Sequence, residues 1–179
     1  MALGVVNGTA RLEEHNEAWA GMAKELIDEL WKALEGYAID IQHVGSTAIK
    51  DIPAKPIIDI AVAVEDVTEV ENYIDALSAI GLKYMGEMVP TQRMLAKSTP
   101  GVDDRTHHVH IVNIHAKQWE DYLNMRDYCN THPEAAEAYA DLKRKLAGEF
   151  AEERLKYKNG KHEFVEALLV EAKKWRDSL

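Results

Sequence analysis

Ile57-Ile58-Asp59-Ile60-Ala61-Val62-Ala63-Val64 is the stretch from which the rest of the chain is read. It is rich in β-branched residues and short for a helix. Pro56 stands at its start, where a missing N–H is tolerated. The segment is therefore a β-strand. Alternate side chains on a strand share a face. Ile58, Ile60, Val62 and Val64 form one apolar surface, and Ile57, Asp59, Ala61 and Ala63 form the other. On that second surface small alanines leave room beside the carboxylate. An acid inside an apolar strand is costly unless something charged answers it. Asp59 is therefore either half of a buried ion pair, with Lys55 or an arginine, or a metal- or base-type carboxylate lining a cleft.

Working back from this strand, Ala38 to Val44 reads as another. Residues 16–35 read as a helix carrying Trp19, Met22, Leu26, Leu30 and Leu34 at helical spacing, with Gly36 as its stop. Working forward, Glu65 and Asp66 open an acidic helix expected to run to about Ile80, where Gly81 ends it. Strands are expected near 82–88, 92–98 and from His107 to Ile114, with a loop at Pro100-Gly101. From Lys117 onward the pattern is helical. Thr131-His132-Pro133-Glu134 fits a capping box. The next helix places Ala135, Tyr139, Leu142 and Leu146 on one stripe, and the last runs from about Gly160 to Trp175. Strands followed by helices make an α+β fold, a mixed sheet covered mainly by helices.

The 179 residues suit one domain. Acids outnumber bases 31 to 21, a formal net charge of -10, which repels phosphate backbones and argues against general DNA or RNA binding. Cys129 is the single cysteine, so an internal disulfide and multi-cysteine metal sites are excluded. It is expected to be a small core residue beside Tyr128. Met1 to Ala10 has no basic residue ahead of an apolar run, so no secretory leader is expected. No apolar stretch is long enough to cross a bilayer. A soluble, cytoplasmic protein is expected, with no membrane partner.

Several residues ask for more than packing. Gly45-Ser46-Thr47 follows the strand ending at Val44 and is either an anion-cradling turn or a plain turn capped by a hydroxyl. His108 and His110 share one strand face and can both reach one metal or one phosphate; alternatively each is solvated or hydrogen-bonded. Arg126 and Lys161 fall on apolar helix stripes, near Tyr128 and Tyr157, and residues 143–161 carry seven Lys/Arg against three Glu. That segment is either a solvated surface or one wall of an anion pocket. Arg93 and Lys97, four apart on a strand, share a face and are expected to add to the same field. No nucleophile elbow, Walker-type loop or dinucleotide fingerprint is present.

Together, His43-Val44-Gly45-Ser46-Thr47, Ala54-Lys55-Pro56-Ile57-Ile58-Asp59-Ile60 and His108-Val109-His110 closely resemble the GrpB family. Met125-Arg126-Asp127-Tyr128, His132-Pro133, Tyr139, Leu142-Lys143 and the Tyr157 to Lys161 segment, with Phe164, extend the resemblance over about residues 9 to 175. The resemblance implies the nucleotidyltransferase superfamily. It implies a nucleotidyltransferase-like mixed sheet with flanking helices and a helical carboxy-terminal half, one domain with a core at about 9–115 and a helical extension at about 116–179. In that superfamily Gly-Ser holds nucleotide phosphates. An acid-x-acid pair on the next strand and a third acid on a later strand bind two metals for in-line nucleotidyl transfer.

This chain departs from the pattern at two places. The second acid's position is Ala61, and the strand that would supply the third offers His108 and His110. Magnesium prefers oxygen ligands, so the remaining set suits a softer metal or metal-free acid/base chemistry. The resemblance implies an enzyme acting on a nucleotide or another phosphorylated small molecule, with Asp59, His108 and His110 as its catalytic residues. A divalent metal (Mg²⁺, Mn²⁺ or Zn²⁺) would sit on Asp59 and His110. Gly45, Ser46, Thr47, Lys55, Arg93, Arg126, Tyr157 and Lys161 would contact the nucleotide and its phosphates. The alternatives are a non-catalytic nucleotide-binding module on a degenerate fold of the same kind, and a scaffold in which Asp59 and the histidines merely satisfy one another.

Overall fold

The computed structural model describes residues 3–179; the reading of the first ten residues falls partly on residues 1 and 2, which lie outside the described residues. Along the chain come β1 (Val5–Val6), α1 (Ala18–Ala33), β2 (Asp40–Val44), a 3₁₀ turn at Ser46–Ala48 and β3 (Ile58–Val64). A 3₁₀ segment at Val67–Tyr73 then leads into α2 (Ile74–Ala79), followed by β4 (Lys83–Val89), β5 (Gln92–Lys97), β6 (Asp104–Arg105) and β7 (His107–Asn113). The helices α3 (Lys117–Thr131), α4 (Pro133–Glu149), α5 (Arg154–Gly160) and α6 (His162–Asp177) complete it. Five strands form one sheet in the order β2-β3-β7-β5-β4; β3 and β7 run parallel and the other neighbours antiparallel. This is the mixed α+β architecture read from the sequence. The short pair β1 and β6 forms a second, separate ladder.

The two surfaces of β3 meet different partners. Ile58, Ile60, Val62 and Val64, with Val109 and Ile111 of β7, pack against Trp19, Leu26 and Leu30 of α1. Leu30 and Leu34 are wholly buried there, and each such side chain contributes roughly 1.5–3 kcal/mol by leaving water. On the opposite surface, Ala61 and Ala63 of β3 meet Val44, Val112 and Trp119 of α3. Beyond them Ile49 and Ile52, in the β2–β3 connection, pack with Cys129, Tyr139, Ala140 and Leu168 from α3, α4 and α6. The helical half of the chain therefore covers the surface that carries Asp59. No helix among the described residues is long and apolar enough to cross a membrane.

Three local expectations are corrected. The helix expected from Glu65 to Ile80 is a 3₁₀ segment followed by a short α2. Asp66 caps the segment by accepting from the Thr68 backbone N–H. Val67 and Val70 are buried and Tyr73 packs against the same core; residues three apart eclipse in 3₁₀ winding, which points all three inward. Thr131 does not cap α4. It is the last residue of α3, its hydroxyl bonds back to the Asp127 and Tyr128 carbonyls, and α4 opens on Pro133, whose absent N–H needs no cap. The last helix starts at His162, and residues 154–160 form the separate α5.

Candidate functional site

Strand parity and sheet register together build the centre of the site. In the parallel pairing of β3 with β7, Asp59 lies opposite His108 and Ala61 opposite His110. His108 and His110 therefore stand on the same surface as Asp59, one beside it and one a step further along. Nδ1 of His108 is 3.2 Å and Nε2 of His110 is 3.3 Å from the same oxygen, Oδ1 of Asp59. The ligand atoms of the three residues lie within 4.8 Å of one another. Burial opposes ionisation of Asp59, but hydrogen bonds and charge from His108 and His110 prevail and hold its carboxyl well below the ordinary carboxylate range. The partners of Asp59 are thus the two histidines, rather than Lys55 or an arginine.

Gly45 closes the site from the β2 side. Val44 pairs with Asp59 in the antiparallel ladder, and at Gly45 the chain turns through a φ of 72°. A Cβ here would lie 2.7 Å from Oδ2 of Asp59, so the backbone passes against the carboxylate as only glycine permits. Ser46 follows, and its side chain lies on the side of the hydroxyl of Tyr139, a residue of α4. Burial raises the Tyr139 hydroxyl to about 12, the neighbouring Ser46 opposes this, and the charge of Asp59 adds to it. Ser46, Tyr139 and Asp59 therefore lie on the same side of the sheet, close enough to feel one another's charge.

Lysines on aromatic faces form its far wall. The Nζ of Lys55 sits 5.6 Å from the centre of the Tyr157 ring, and that of Lys161 sits 4.9 Å from the same ring and 6.0 Å from Tyr139. Tyr157 is itself buried. Burial pushes Lys55 down to about 8, Lys161 and Arg154 push the same way, and Asp59 opposes them. Burial also lowers Lys161, again against the pull of Asp59. Among the described residues neither lysine has a carboxylate within ion-pair distance. Each rests instead on the negative face of a ring. Lys143, buried beneath them, lies 4.5 Å from the Tyr139 ring centre and donates to the Pro53 carbonyl, steadying the loop that leads to Lys55.

The structure brings together Asp59, His108, His110, Gly45, Ser46, Lys55, Tyr157 and Lys161, and it gives four other residues expected with them different partners. Arg93 is opposite Ile111 on the α1 side of the sheet, where it pairs with Glu87 at 2.9 Å. Lys97 shares that side and lies 3.8 Å from Glu29 of α1. Alternation on β5 put both on one face, as expected, but it is the face turned away from Asp59. Thr47 is buried, and its hydroxyl is taken up by Nε2 of His43 at 3.0 Å. Arg126 is committed to Gln42, the His43 carbonyl and Asp127; it clamps the end of β2 at the rim of the site. Cys129 is buried and its thiol is pushed up to about 11 by burial, the behaviour of a core residue.

Sequence reasoning missed four contributors. Tyr139 and Lys143 do leave a signal, a tyrosine and a lysine one helical turn apart on an otherwise apolar stripe. Gln92 of β5 and Tyr122 of α3 leave none. Gln92 is opposite Val112 in the sheet, and its Nε2 lies 2.8 Å from Nδ1 of His110 and 3.3 Å from the Tyr122 hydroxyl.

Comparison with known proteins bears on the family and the fold. Residues 9–171 match the model of a family described as GrpB protein. Glutamate-rich protein GrpB of Alkalihalophilus pseudofirmus is 36% identical over 176 residues, 94% of this chain and 99% of the relative. The crystal structure of the conserved protein GrpB from Enterococcus faecalis aligns with a TM-score of 0.84 at 33% identity, over 92% of this chain and 99% of that one. A mutant of the Cid1 poly(U) polymerase bound to MgATP aligns with a TM-score of 0.55 at 13% identity, over 75% of this chain and 44% of that one. That distant likeness shows the shared nucleotidyltransferase-type fold alone. The nearer matches run almost end to end in both sequence and structure, and the chain belongs to the GrpB family.

Proposed function

We propose that the chain is an enzyme that binds a nucleotide or another phosphorylated small molecule between the Asp59–His108–His110 centre and the wall made by Ser46, Lys55 and Lys161. The observation that carries this reading is the pair of half-buried lysines on the Tyr157 ring, without a protein counter-charge among the described residues, facing one ionised carboxylate. Two confined cations beside a hydroxyl are complementary to a phosphate chain. The reaction class is group transfer at phosphorus, in which a protein contributes positioning and charge neutralisation.

A divalent ion is part of this reading, and the donor set selects among ions. A pair of Mg²⁺ ions needs several carboxylates; Ala61 stands where the second would be, and its sheet neighbour is His110. The magnesium pair does not fit these residues. One carboxylate and two imidazoles do suit a single borderline ion such as Zn²⁺ or Mn²⁺, held by Asp59, His108 and His110. Such an ion supplies Lewis-acid polarisation of a phosphoryl oxygen. Lys55 and Lys161 neutralise the phosphates, and Ser46 orients them. Ala61 also favours a second reading, a module that binds the same ligand without turning it over.

Isothermal titration of the full chain with ATP and with tripolyphosphate, with and without Mn²⁺ or Zn²⁺, tests the proposal. Lys55→Met and Lys161→Met are each expected to weaken binding about tenfold or more, since a charge-assisted hydrogen bond contributes about 1.5–3 kcal/mol. Equal affinity in wild type and both variants would overturn the anion pocket. Product formation from labelled ATP then separates enzyme from binding module.

The pH dependence has a definite sign. Lys55, lowered by burial to about 8, holds an anion only while protonated. Affinity is therefore expected to be highest near neutrality and to fall as pH rises above about 8. The same titration in Lys55→Met should lose most of that fall.

A further inference from the structure

The carboxamide of Gln92 is buried on the His110 side of the sheet, between the part-buried rings of His110 and Tyr122. Gln92 is 7% exposed, and the rings of His110 and Tyr122 are 5.2 Å apart. Its Nε2 is placed to donate one hydrogen to Nδ1 of His110, at 2.8 Å, and the other to the Tyr122 oxygen, at 3.3 Å. The remaining nitrogen of His110, Nε2, faces Oδ1 of Asp59 at 3.3 Å. His110 is thus held at both nitrogens, by an amide on one side and a carboxylate on the other.

A neutral imidazole has one donor and one acceptor nitrogen. While the Gln92 amide presents its NH₂, Nδ1 must accept, and the ring proton sits on Nε2, donated to Asp59. No lone pair of His110 then points toward Asp59. A half-turn of the carboxamide places Oε1 where Nε2 stood. Oε1 can accept from Nδ1–H of His110 and from the Tyr122 hydroxyl together, and Nε2 of His110 turns its lone pair toward Asp59. Both arrangements satisfy the same three polar groups. They differ in the orientation of one amide and the position of one proton, and in a buried site solvent does not repair the wrong pairing.

We propose that Gln92 is a positioning residue that sets the tautomer of His110, its two amide orientations switching the centre between a form hydrogen-bonded to Asp59 and a form whose His110 lone pair is open to a cation. The hydrogen-bonded form stands on the distances above. The open form rests on the reading of Asp59, His108 and His110 as a metal centre, where an outer partner that accepts from the second ring nitrogen orients the ligand.

Long-range ¹H–¹⁵N correlation spectra of the full chain, taken with and without Zn²⁺, read the His110 proton directly. In wild type without metal it is expected on Nε2, and with Zn²⁺ on Nδ1. Gln92→Glu presents only acceptors and should place a proton on Nδ1 in both conditions, with Zn²⁺ affinity equal to or above wild type. Gln92→Leu removes the partner and should weaken Zn²⁺ binding by about 10- to 100-fold. A purely structural Gln92 would alter melting temperature alone, and a His110 spectrum unchanged in Gln92→Glu overturns the proposal. Should wild type bind neither Zn²⁺ nor Mn²⁺, the metal centre fails. The metal-free spectra still decide the role of Gln92, for or against, by whether Gln92→Glu moves the proton. If Gln92→Leu does not fold, the near-isosteric Glu variant carries the test.

Discussion

Asp59→Asn is expected to abolish metal-dependent stabilisation of the protein. Asp59 supplies the one carboxylate of the cluster and accepts from both histidines at a single oxygen. An amide keeps the shape and loses the charge. In wild type, Zn²⁺ or Mn²⁺ at about 100 times its dissociation constant would stabilise by roughly 2.7 kcal/mol; in the variant that shift should disappear. The metal-free variant should itself be less stable by about 1–3 kcal/mol, because two part-buried imidazoles lose an ionised acceptor. The acid side gives an independent check. The Asp59 carboxyl is held below its ordinary range in the fold, so its contribution is complete above the unfolded value of about 3.9 and is lost progressively as pH falls below it. The stability gap between wild type and Asp59→Asn should therefore narrow under acid. A thermal-shift series across pH and metal measures both effects, and an undiminished metal shift in the variant would place the ion elsewhere.

Gly45→Ala is the second large effect, and it comes from two sources that can be separated. The backbone at Gly45 has φ 72° and ψ -171°, a region essentially confined to glycine, which costs an alanine about 1–3 kcal/mol. The new methyl would also lie 2.7 Å from Oδ2 and 3.0 Å from Cβ of Asp59, so the carboxylate must move. Overpacking of this kind costs a further 1–3 kcal/mol or so. Gly36→Ala is the control: its φ is 79° and its Cβ would meet nothing within 4 Å. Denaturant unfolding should show a loss of about 3 kcal/mol for Gly45→Ala and about half that or less for Gly36→Ala. Only the Gly45 variant should also lose metal and anion affinity. Equal losses in the two would mean that Gly45 is a turn residue and not a spacer for Asp59.

Both predictions turn on features that were unequally visible in the sequence. The strand carrying Asp59, the alanines beside it and the common facing of His108 and His110 follow from alternation within single segments. The close passage of Gly45 was suggested by residue type alone, as a turn with Gly and Ser. The lysine wall was visible only as cations on apolar stripes and an excess of basic residues before position 161. Tyr157 as the ring that seats both Lys55 and Lys161 was not visible. Nor was the burial of Lys143 beneath Tyr139. Arg93 was the clearest error: its spacing from Lys97 is right, and its side of the sheet is wrong.

The sequence by itself determined which side chains travel together on each strand, because parity along an extended backbone is a local consequence of its geometry. It also determined the α+β class, since the change from twofold to helical periodicity is written in successive segments. Tertiary structure decided which strand lies beside which and in what register. Asp59 and His108 are 49 residues apart in the chain and meet only because β3 and β7 pair in parallel with those two residues opposed. A slip of one position would turn the histidines to the other surface. That register is set by burying Ile60, Val62, Val109 and Ile111 together under α1, a collective packing energy that no single segment contains. The same non-local choice sent Gln92 toward His110 and Arg93 away from it.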